Sequence, residues 1–408
     1  MHSKYSRPRR LDLFQRCARS ALALIAVYVC GAVAESRAGD LLVVDRLSFA
    51  VYRYSDQGAL LGTVVGPADN LNANLNQPTG IGISPDAKEI FVSSSQNNLV
   101  VKYDYNAATG KASNPSVFAD ASAGLAFPND IQFSPDGSKI YVANLENGSV
   151  AQFNTDGSSA GPPLLLPGGS GGQASSMAFV SPNELLVGAF AGGGVAKSNS
   201  DVSAFPGYLV APTSSIAGAT GLMIHDTHVY VSGLFTASIQ RFDLTTGQID
   251  SSWGVSGVGF PQDLAVAPDG NGFLAGILGV SSGAGNISRY AFDGTFENTF
   301  ASPGGGGFTE ATAFAAVPTS FIGDFNNDGV VDVEDYVVWR DASPTATLPN
   351  DLTPGTVDAS DYADWRANFG KSWVASGASL GDNSVPEPSG CLLLLTAVFI
   401  SSILRNRT

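Results

Sequence analysis

Short apolar segments and segments of alternating apolar and polar residues follow one another along most of the chain. The stretch 141–154 (YVANLENGSVAQFN) starts with an apolar run, crosses a short polar link and then alternates up to an aromatic residue. Three other stretches align with it without gaps: 42–55, 91–104 and 230–243. Alternation with a period of two is typical of a half-buried β-strand, so each stretch predicts an antiparallel hairpin.

A further short strand and a tight turn precede several of these hairpins. In the turns proline presets the backbone and Asp-Gly closes the loop. The turns lie at 84–86, 134–137 and 267–270. The short strands lie at 81–83, 131–133, 177–179, 222–224, 264–266 and 314–316, at intervals of 42 to 50 residues. Four strands at this period are typical of one blade of a β-propeller.

The two ends of the repeat region complete each other. The strands near residues 41, 50 and 60 have no inner partner, and 312–317 is a lone inner strand after the last repeat. Pairing them closes the ring and removes an open sheet edge. We therefore predict an all-β fold, a six-bladed β-propeller over 39–318, followed by a small helical domain over 323–370.

Composition agrees with this fold and excludes some functions. The chain has 47 glycines, 44% hydrophobic residues and only 14% charged residues, which suits strands joined by many turns. Its net charge is −15, and many of the basic residues lie in the terminal segments, so the body disfavours nucleic acid. The three cysteines (Cys17, Cys30, Cys391) also lie near the ends, which excludes a disulfide framework or thiolate metal site between them.

The N-terminal segment 1–38 has the features of a secretory signal peptide. A basic region precedes the apolar run 21–33, and small residues at 32–34 and 36–38 offer cleavage sites. An uncleaved anchor is the alternative, but the run is shorter than the ~20 residues that a membrane-spanning helix needs.

The C-terminal segment 385–408 has the features of a sorting signal. The sequence Val385-Pro-Glu-Pro-Ser precedes the apolar stretch 391–404 and a basic end. It resembles the PEP-CTERM sorting signals, which implies a membrane-bound sorting enzyme (an exosortase) as a partner. A buried terminal helix is the alternative. The stretch 371–384, rich in Ser, Gly and Ala, predicts a flexible linker. We expect an exported protein of the cell surface or extracellular space, which contacts the membrane only through these two signals and is transiently anchored by the second.

The sharpest local motif begins at Asp324. Oxygen-bearing side chains occupy loop positions one, three, five, nine and twelve, a glycine occupies position six, and the residue at position seven offers its carbonyl. This spacing wraps six or more oxygens around one point, as Ca²⁺ requires. The predicted ligands are Asp324, Asn326, Asp328, Val330, Asp332 and Asp335. An Asp-rich turn without a metal is the alternative.

A second unit follows 26 residues later, and the pair resembles a type I dockerin over 323–370. Counted back from Asp361, its loop has Asn350, Leu352 and Pro354 at positions one, three and five, so only Asp358 and Asp361 retain ligand positions. We expect this second EF-hand-like site to be weak or empty. The resemblance implies a cohesin-like partner and a link to polysaccharide processing; a calcium-stiffened spacer is the alternative.

The ring resembles the NHL, lactonase-like and six-bladed gluconolactonase-like propellers in its strand spacing and turns. In gluconolactonase-like proteins a divalent ion lies in the central channel, bound by Glu, Asn and Asp side chains. The resemblance implies such roles for Asn129 and Asp130, with Asp263 at the equivalent position three blades away. No convincing Glu ligand is found in the sequence, and these residues equally suit turn capping at strand starts.

These observations lead to two hypotheses of different classes. We expect a non-catalytic binding or display protein, because no acid, base and nucleophile converge in the ring sequence. A surface glycan or a cohesin-like protein is the expected partner. The alternative is a metal-dependent lactonase-like hydrolase with its site in the channel.

Overall fold

The computed structural model describes residues 39–370, apart from 108, 170–171, 279–284, 305–306, 318–320, 327–329 and 352–355. The predicted signal peptide (1–38), linker (371–384) and sorting segment (385–408) lie outside the described residues. No helix in the described part of the chain is long and apolar enough to cross a membrane.

The described strands form six antiparallel sheets of four strands each. Blade one contains Pro78–Ile83, Glu89–Ser94, Leu99–Asn106 and Lys111–Ala119. Blade two contains Pro128–Phe133, Lys139–Asn144, Ser149–Asn154 and Leu164–Leu165. Blade three contains Ala174–Ser181, Glu184–Ala189, Gly194–Lys197 and Gly207–Val210. Blade four contains Ala219–His225, His228–Gly233, Ser238–Asp243 and Val255–Ser256. Blade five contains Phe260–Val266, Phe273–Leu278, Asn286–Tyr290 and Phe296–Ala301. Blade six contains Ala311–Ala316, Leu41–Asp45, Ala50–Tyr54 and Leu60–Val65.

The first strands of neighbouring blades contact each other around the whole ring, so they line its centre. The predicted six-bladed propeller is confirmed, including its closure: Leu41–Asp45 pairs with Ala311–Ala316 from the other end of the chain. The second strands are almost completely buried, whereas an outer strand such as Lys111–Ala119 is mostly exposed. This gradient explains why the second strands are nearly continuous apolar runs, whereas an outer strand such as Lys111–Ala119 carries more polar residues.

One apolar cluster lies at each of the six junctions between blades. At the junction of blades one and two, for example, Phe91 packs against Phe133 with their ring centroids 5.4 Å apart in an edge-to-face arrangement. Edge-to-face packing is the favoured geometry for aromatic pairs. Each blade therefore buries both faces of its sheet only when both neighbours are present.

A buried carboxylate strengthens the junction where the chain ends meet. Asp45 is 0% exposed and accepts hydrogen bonds from the backbone N–H groups of Thr309 (2.6 Å) and Glu310 (3.2 Å). It also accepts from the Ser48 hydroxyl at 2.8 Å. Beside it, Arg46 forms an ion pair with Glu310 at 2.5 Å. These contacts hold the first strand of the chain against the segment that leads into the last ring strand.

The segment after the ring forms two short helices, Val333–Asp341 and Ala359–Asn368. An aspartate caps the N-terminus of each, Asp332 and Asp358, within a reciprocal capping box. The helices also exchange hydrogen bonds: the Trp339 indole donates to the carbonyl of Asp358 (3.0 Å), and the Trp365 indole to that of Asp332 (2.6 Å). Two equivalent halves therefore cap each other around a small aromatic core.

Candidate functional site

Six structurally equivalent residues line the channel, one near the start of each first strand. They are Gly80, Asp130, Ser176, Gly221, Asp263 and Ala313. The two aspartates occupy equivalent positions three blades apart, as the sequence spacing predicts. The first strands bring them to the centre because each begins at the channel and is buried against its neighbours.

Asp130 joins two neighbouring blades. One carboxylate oxygen accepts from the N–H of Ile131 on its own strand (2.7 Å), and the other from the N–H of Met177 on the next first strand (2.7 Å). Asp263 repeats this arrangement, accepting from Leu264 (2.8 Å) and from Phe314 on the next first strand (2.9 Å). We call these two carboxylates the staples. Each oxygen of a staple therefore accepts one backbone N–H group.

The predicted third ligand, Asn129, also bonds across a blade junction. Its side-chain amide donates to the carbonyl of Ser175 in blade three at 2.7 Å. Side chains at the equivalent position of other blades do the same, and we call this set the belt. Its other bonds are Thr79 to Pro128 O (3.1 Å), Ser175 to Ala219 O (2.5 Å), Thr220 to Pro261 O (2.8 Å) and Thr312 to Pro78 O (3.2 Å).

Glycines next to the staples allow close packing of the first strands. A Cβ atom at Gly80 would lie 2.5 Å from the carbonyl oxygen of Asn129, and one at Gly221 would lie 2.6 Å from that of Gln262. Both distances are shorter than any real contact, so only glycine fits. The Gly–Asp arrangement of blades one and two therefore recurs in blades four and five, which gives the channel an approximate two-fold repeat.

The channel is an unfavourable place for two negative charges. Burial raises the pKa of Asp130 to about 6, against the opposing effect of the Met177 and Ile131 N–H groups. Burial raises the pKa of Asp263 to about 8, and the negative charge of Asp130 adds to that increase. The two carboxyls therefore influence each other across the channel, and at neutral pH Asp263 is largely protonated.

Ser176 is the channel residue of blade three and is not among the site residues predicted from the sequence. It is 4% exposed, and its hydroxyl has no hydrogen-bond partner among the described residues. The described residues contain no group of three or more His, Cys, Asp or Glu side chains placed to hold a metal ion. The described channel thus offers two staples, one belt amide and one buried hydroxyl.

The second candidate is the loop before the first helix. Asp324 and Asp335, at loop positions one and twelve, are 1% and 0% exposed. Asp335 accepts from the N–H groups of Asn326 (3.0 Å) and Asp332 (2.8 Å), so it ties together positions three, nine and twelve. Val331 is completely buried behind the loop. The predicted ligand Asp328 lies outside the described residues.

The loop of the second unit differs from the first. Asn350, at its position one, donates its side-chain amide to the carbonyl of Asp324 at 2.7 Å. Asp358 and Asp361 form the capping box of the second helix. Asn350 therefore braces the first loop.

Comparisons with known proteins agree with a propeller of this type. A family model described as the SMP-30/gluconolactonase/LRE-like region matches residues 36–162, which include Asn129 and Asp130 but not Asp263. A search of curated proteins gave no match.

Among solved structures, one described as a nidogen/laminin complex is similar with a TM-score of 0.52 and 11% identity, over 67% of this chain and 97% of that chain. A putative 6-phosphogluconolactonase from Bacteroides uniformis has a TM-score of 0.47 and 14% identity, over 64% of this chain and 81% of that one. At these identities, the likeness with the higher TM-score shows the fold alone.

The staples predict an unusual pH dependence of stability. Both carboxyls have native pKa values above the ordinary 3.8, so between that pH and the native pKa the native ring binds more protons than the unfolded chain, and its stability falls as pH rises towards about 6 and 8. We expect the melting temperature to decrease from about pH 5 to about pH 8 and to level off by about pH 9, with a slope near pH 7 of about 1.4 kcal/mol per pH unit in the free energy of unfolding.

Two variants separate the contributions. Asp263→Asn should remove most of the decrease between about pH 6 and pH 8. Asp130→Asn removes the repelling charge and thereby lowers the pKa of Asp263, so the decrease should level off at a lower pH. The informative quantity is the shape of the curve, since each variant also loses a hydrogen bond at every pH. A melting temperature of the native chain that stays constant from pH 5 to pH 9 would contradict this account of the channel.

Proposed function

We propose that the chain is an exported, non-catalytic surface protein whose ring binds a ligand and whose C-terminal module binds calcium and docks to a partner. The observation that supports a non-catalytic ring is the bonding of the channel carboxylates. Each staple uses both oxygens to hold neighbouring first strands, and Asn129 belongs to a belt that recurs in blades without a carboxylate. The residues that would form a catalytic channel thus have a structural role that explains their presence.

The chemistry of the C-terminal loop fits calcium. Hard cations prefer carboxylate, amide and carbonyl oxygens, and Asp324, Asn326 and Asp332 offer them from one short loop. Asp324 and Asp335 are buried at positions one and twelve of this loop. A bound Ca²⁺ would offset their negative charge and join the loop to the start of the first helix.

The first helix also has a surface suited to a protein partner. Val333 and Val337, one turn apart, are 56% and 43% exposed. The equivalent residues of the second helix are Ala359 and Ala363, so the apolar stripe is stronger on one side of the module. A cohesin-like protein would contact this stripe, which favours a single docking mode over two equivalent ones.

Calcium binding should be measurable on the full chain. We expect titration calorimetry to give one tight ion per chain, and calcium to raise the melting temperature of the module, because the ligands come together only in the folded state. Asp324→Ala should abolish that increase.

The matched control is Asp358→Ala in the second unit. It removes a helix cap, which costs about 1 kcal/mol, but it should leave the calcium-dependent increase intact. Two equivalent ions per chain, or none, would refute the assignment of the site to the first loop.

Export rests on the two terminal signals of the sequence. We expect mass spectrometry of the protein from the surface fraction to find an N-terminus after Ala34 or Ala38, and to find no peptides beyond the Pro386-Glu387-Pro388 motif. Replacing these three residues with alanine should leave the tail attached. Recovery of the native chain from the cytosol with its leader intact would overturn this part of the proposal.

A second candidate function is metal-dependent hydrolysis of a lactone in the channel. The match of residues 36–162 to the SMP-30/gluconolactonase/LRE-like region favours it, as does the presence of two carboxyls and a buried serine in the channel. In this case Asn129, Asp130 and Asp263 would hold the ion, which would polarise the lactone carbonyl when bound.

Metal analysis can separate this candidate from the first. In the Asp324→Ala background, which lacks the loop site, a non-catalytic ring should retain no stoichiometric divalent ion and should not hydrolyse sugar lactones. A retained ion, together with lactone hydrolysis that Asp130→Ala abolishes, would establish the hydrolase instead. Asp156→Ala, in an exposed turn, serves as the control for both measurements.

A further inference from the structure

One residue stands immediately before the first strand of each blade, where the chain enters the channel. We call these six residues the rim: Gln77, Phe127, Gln173, Gly218, Gly259 and Glu310. All of them lie at the same end of the blades, opposite the Ser-Pro-Asp-Gly turns, because the first strands run in the same direction around the ring.

A repeated hydrogen bond shows that the rim positions are equivalent. In each of five blades the rim carbonyl accepts from the first residue of the turn between the second and third strands. The pairs are Gln77 with Ser95 (3.3 Å), Phe127 with Leu145 (3.0 Å), Gln173 with Phe190 (3.0 Å), Gly218 with Leu234 (2.9 Å) and Glu310 with Arg46 (3.3 Å).

The rim backbone is left-handed in four of these five blades, although only one of the four has glycine there. The φ angle is 73° at Gly218, which glycine adopts without penalty. It is 50° at Gln77, 54° at Phe127 and 49° at Gln173, where a side chain is unfavourable. Three consecutive blades therefore carry side chains at a position where glycine would be more stable.

Packing does not account for these side chains. Phe127 is only partly buried, and it belongs to none of the apolar clusters or aromatic pairs formed by the described residues. Among the described residues, the side chain of Gln77 forms a hydrogen bond only with the exposed amide of Gln96, at 3.4 Å. Unfavourable backbone conformations that packing does not require are concentrated at functional sites.

The surroundings of the rim are aromatic and almost uncharged. In blade four the place of a rim side chain is taken by Phe235, which is 64% exposed and packs edge-on against Phe190 at 5.5 Å. Phe260 follows directly after Gly259 and is 36% exposed. Among the described rim residues and the turn residues beside them, Arg46 and Glu310 pair with each other, and Glu146 is the other charged residue.

We propose that the rim of blades one to three binds a neutral saccharide, with Phe127 stacked on a sugar ring between the amides of Gln77 and Gln173. Planar amides offer a donor and an acceptor together, which matches adjacent hydroxyl groups. An aromatic face packs well on the apolar C–H face of a sugar, and the scarcity of positive charge disfavours anionic ligands. This inference rests on the proposed function of the ring as a binding module and names its class of ligand.

The test is affinity electrophoresis of the full chain in gels that contain a soluble polysaccharide. The neutral probes are a β-glucan, a xylan and a galactomannan, and the charged probe is polygalacturonate. We expect at least one neutral probe, but not polygalacturonate, to retard the native chain. Phe127→Gly and Gln173→Gly should weaken the binding by about tenfold or more, the equivalent of about 1.4 kcal/mol.

The glycine variants also distinguish a binding role from a structural one. Because glycine suits a left-handed backbone, both variants should melt at the same temperature as the native chain or higher. The matched control is Asp226→Gly, which makes the same backbone change (φ 52°) at the opposite end of the blades and should leave the binding unchanged.

The outcomes that oppose the proposal are distinct. Retardation of the native chain that the rim variants do not reduce would mean that the ring binds saccharides elsewhere, which overturns the rim site and leaves the binding function standing. A lower melting temperature of the rim variants would assign these side chains to stability. If no neutral probe retards the chain, the assignment of a saccharide ligand is wrong, and the rim would instead bind a protein partner. Lactone hydrolysis in the channel would overturn the proposed function itself.

Discussion

Closure of the ring is the constraint on which the rest of the structure depends. The strand Ala311–Ala316 must pair with Leu41–Asp45, although some 270 residues separate them, and the buried carboxylate of Asp45 holds the two chain ends together. Closing so long a loop is costly in entropy, but the cost rises only slowly with loop length. In return, two apolar clusters are completed, and the strand Ala311–Ala316 gains the partner that it would otherwise lack. The channel depends on it as well, since the Asp263 staple ends on Phe314 in the closing strand.

Once the ring is closed, polar side chains at its centre form hydrogen bonds with backbone groups that would otherwise be unsatisfied. The first strands converge there, and their N–H and carbonyl groups at the channel have no fifth strand to pair with. The belt supplies donors to the carbonyls and the staples supply acceptors to the N–H groups. Because the Gly–Asp pair repeats after three blades, the two carboxyls face the same channel. When one of them is ionised, its charge makes ionisation of the other less favourable. The arrangement that satisfies the backbone thus produces a pair of acids with raised pKa values.

The sequence predicts the blades well because the repeats show alternation with a period of two, and three of them carry a Pro-Asp turn. It also predicts the positions of Asp130 and Asp263, since spacing alone places them on equivalent strands. Their hydrogen bonds could not be predicted: Met177 and Phe314 belong to the next blade, and nothing local in the sequence specifies that contact. The rim could not be predicted from the sequence for a related reason. A glycine in the sequence indicates where a left-handed backbone can occur, whereas Gln77 and Phe127 adopt that conformation without any such indication. The proposed calcium loop can be predicted from the sequence because all its candidate ligands lie within twelve residues.

The two interpretations of the channel predict opposite shifts of the same two pKa values. Without a cation nearby, burial favours the neutral form of each staple, against its two N–H donors, which favour the ionised form. A metal ligand is most useful when its carboxylate is ionised, and a nearby cation would lower the pKa of both acids instead of leaving them raised. The described residues of the channel contain no cluster of three acids placed to hold a metal ion. With these residues alone, the pKa values of Asp130 and Asp263 are about 6 and 8. A ring whose stability fell with rising pH would therefore be using these carboxyls as staples, and one whose stability rose would be using them as ligands.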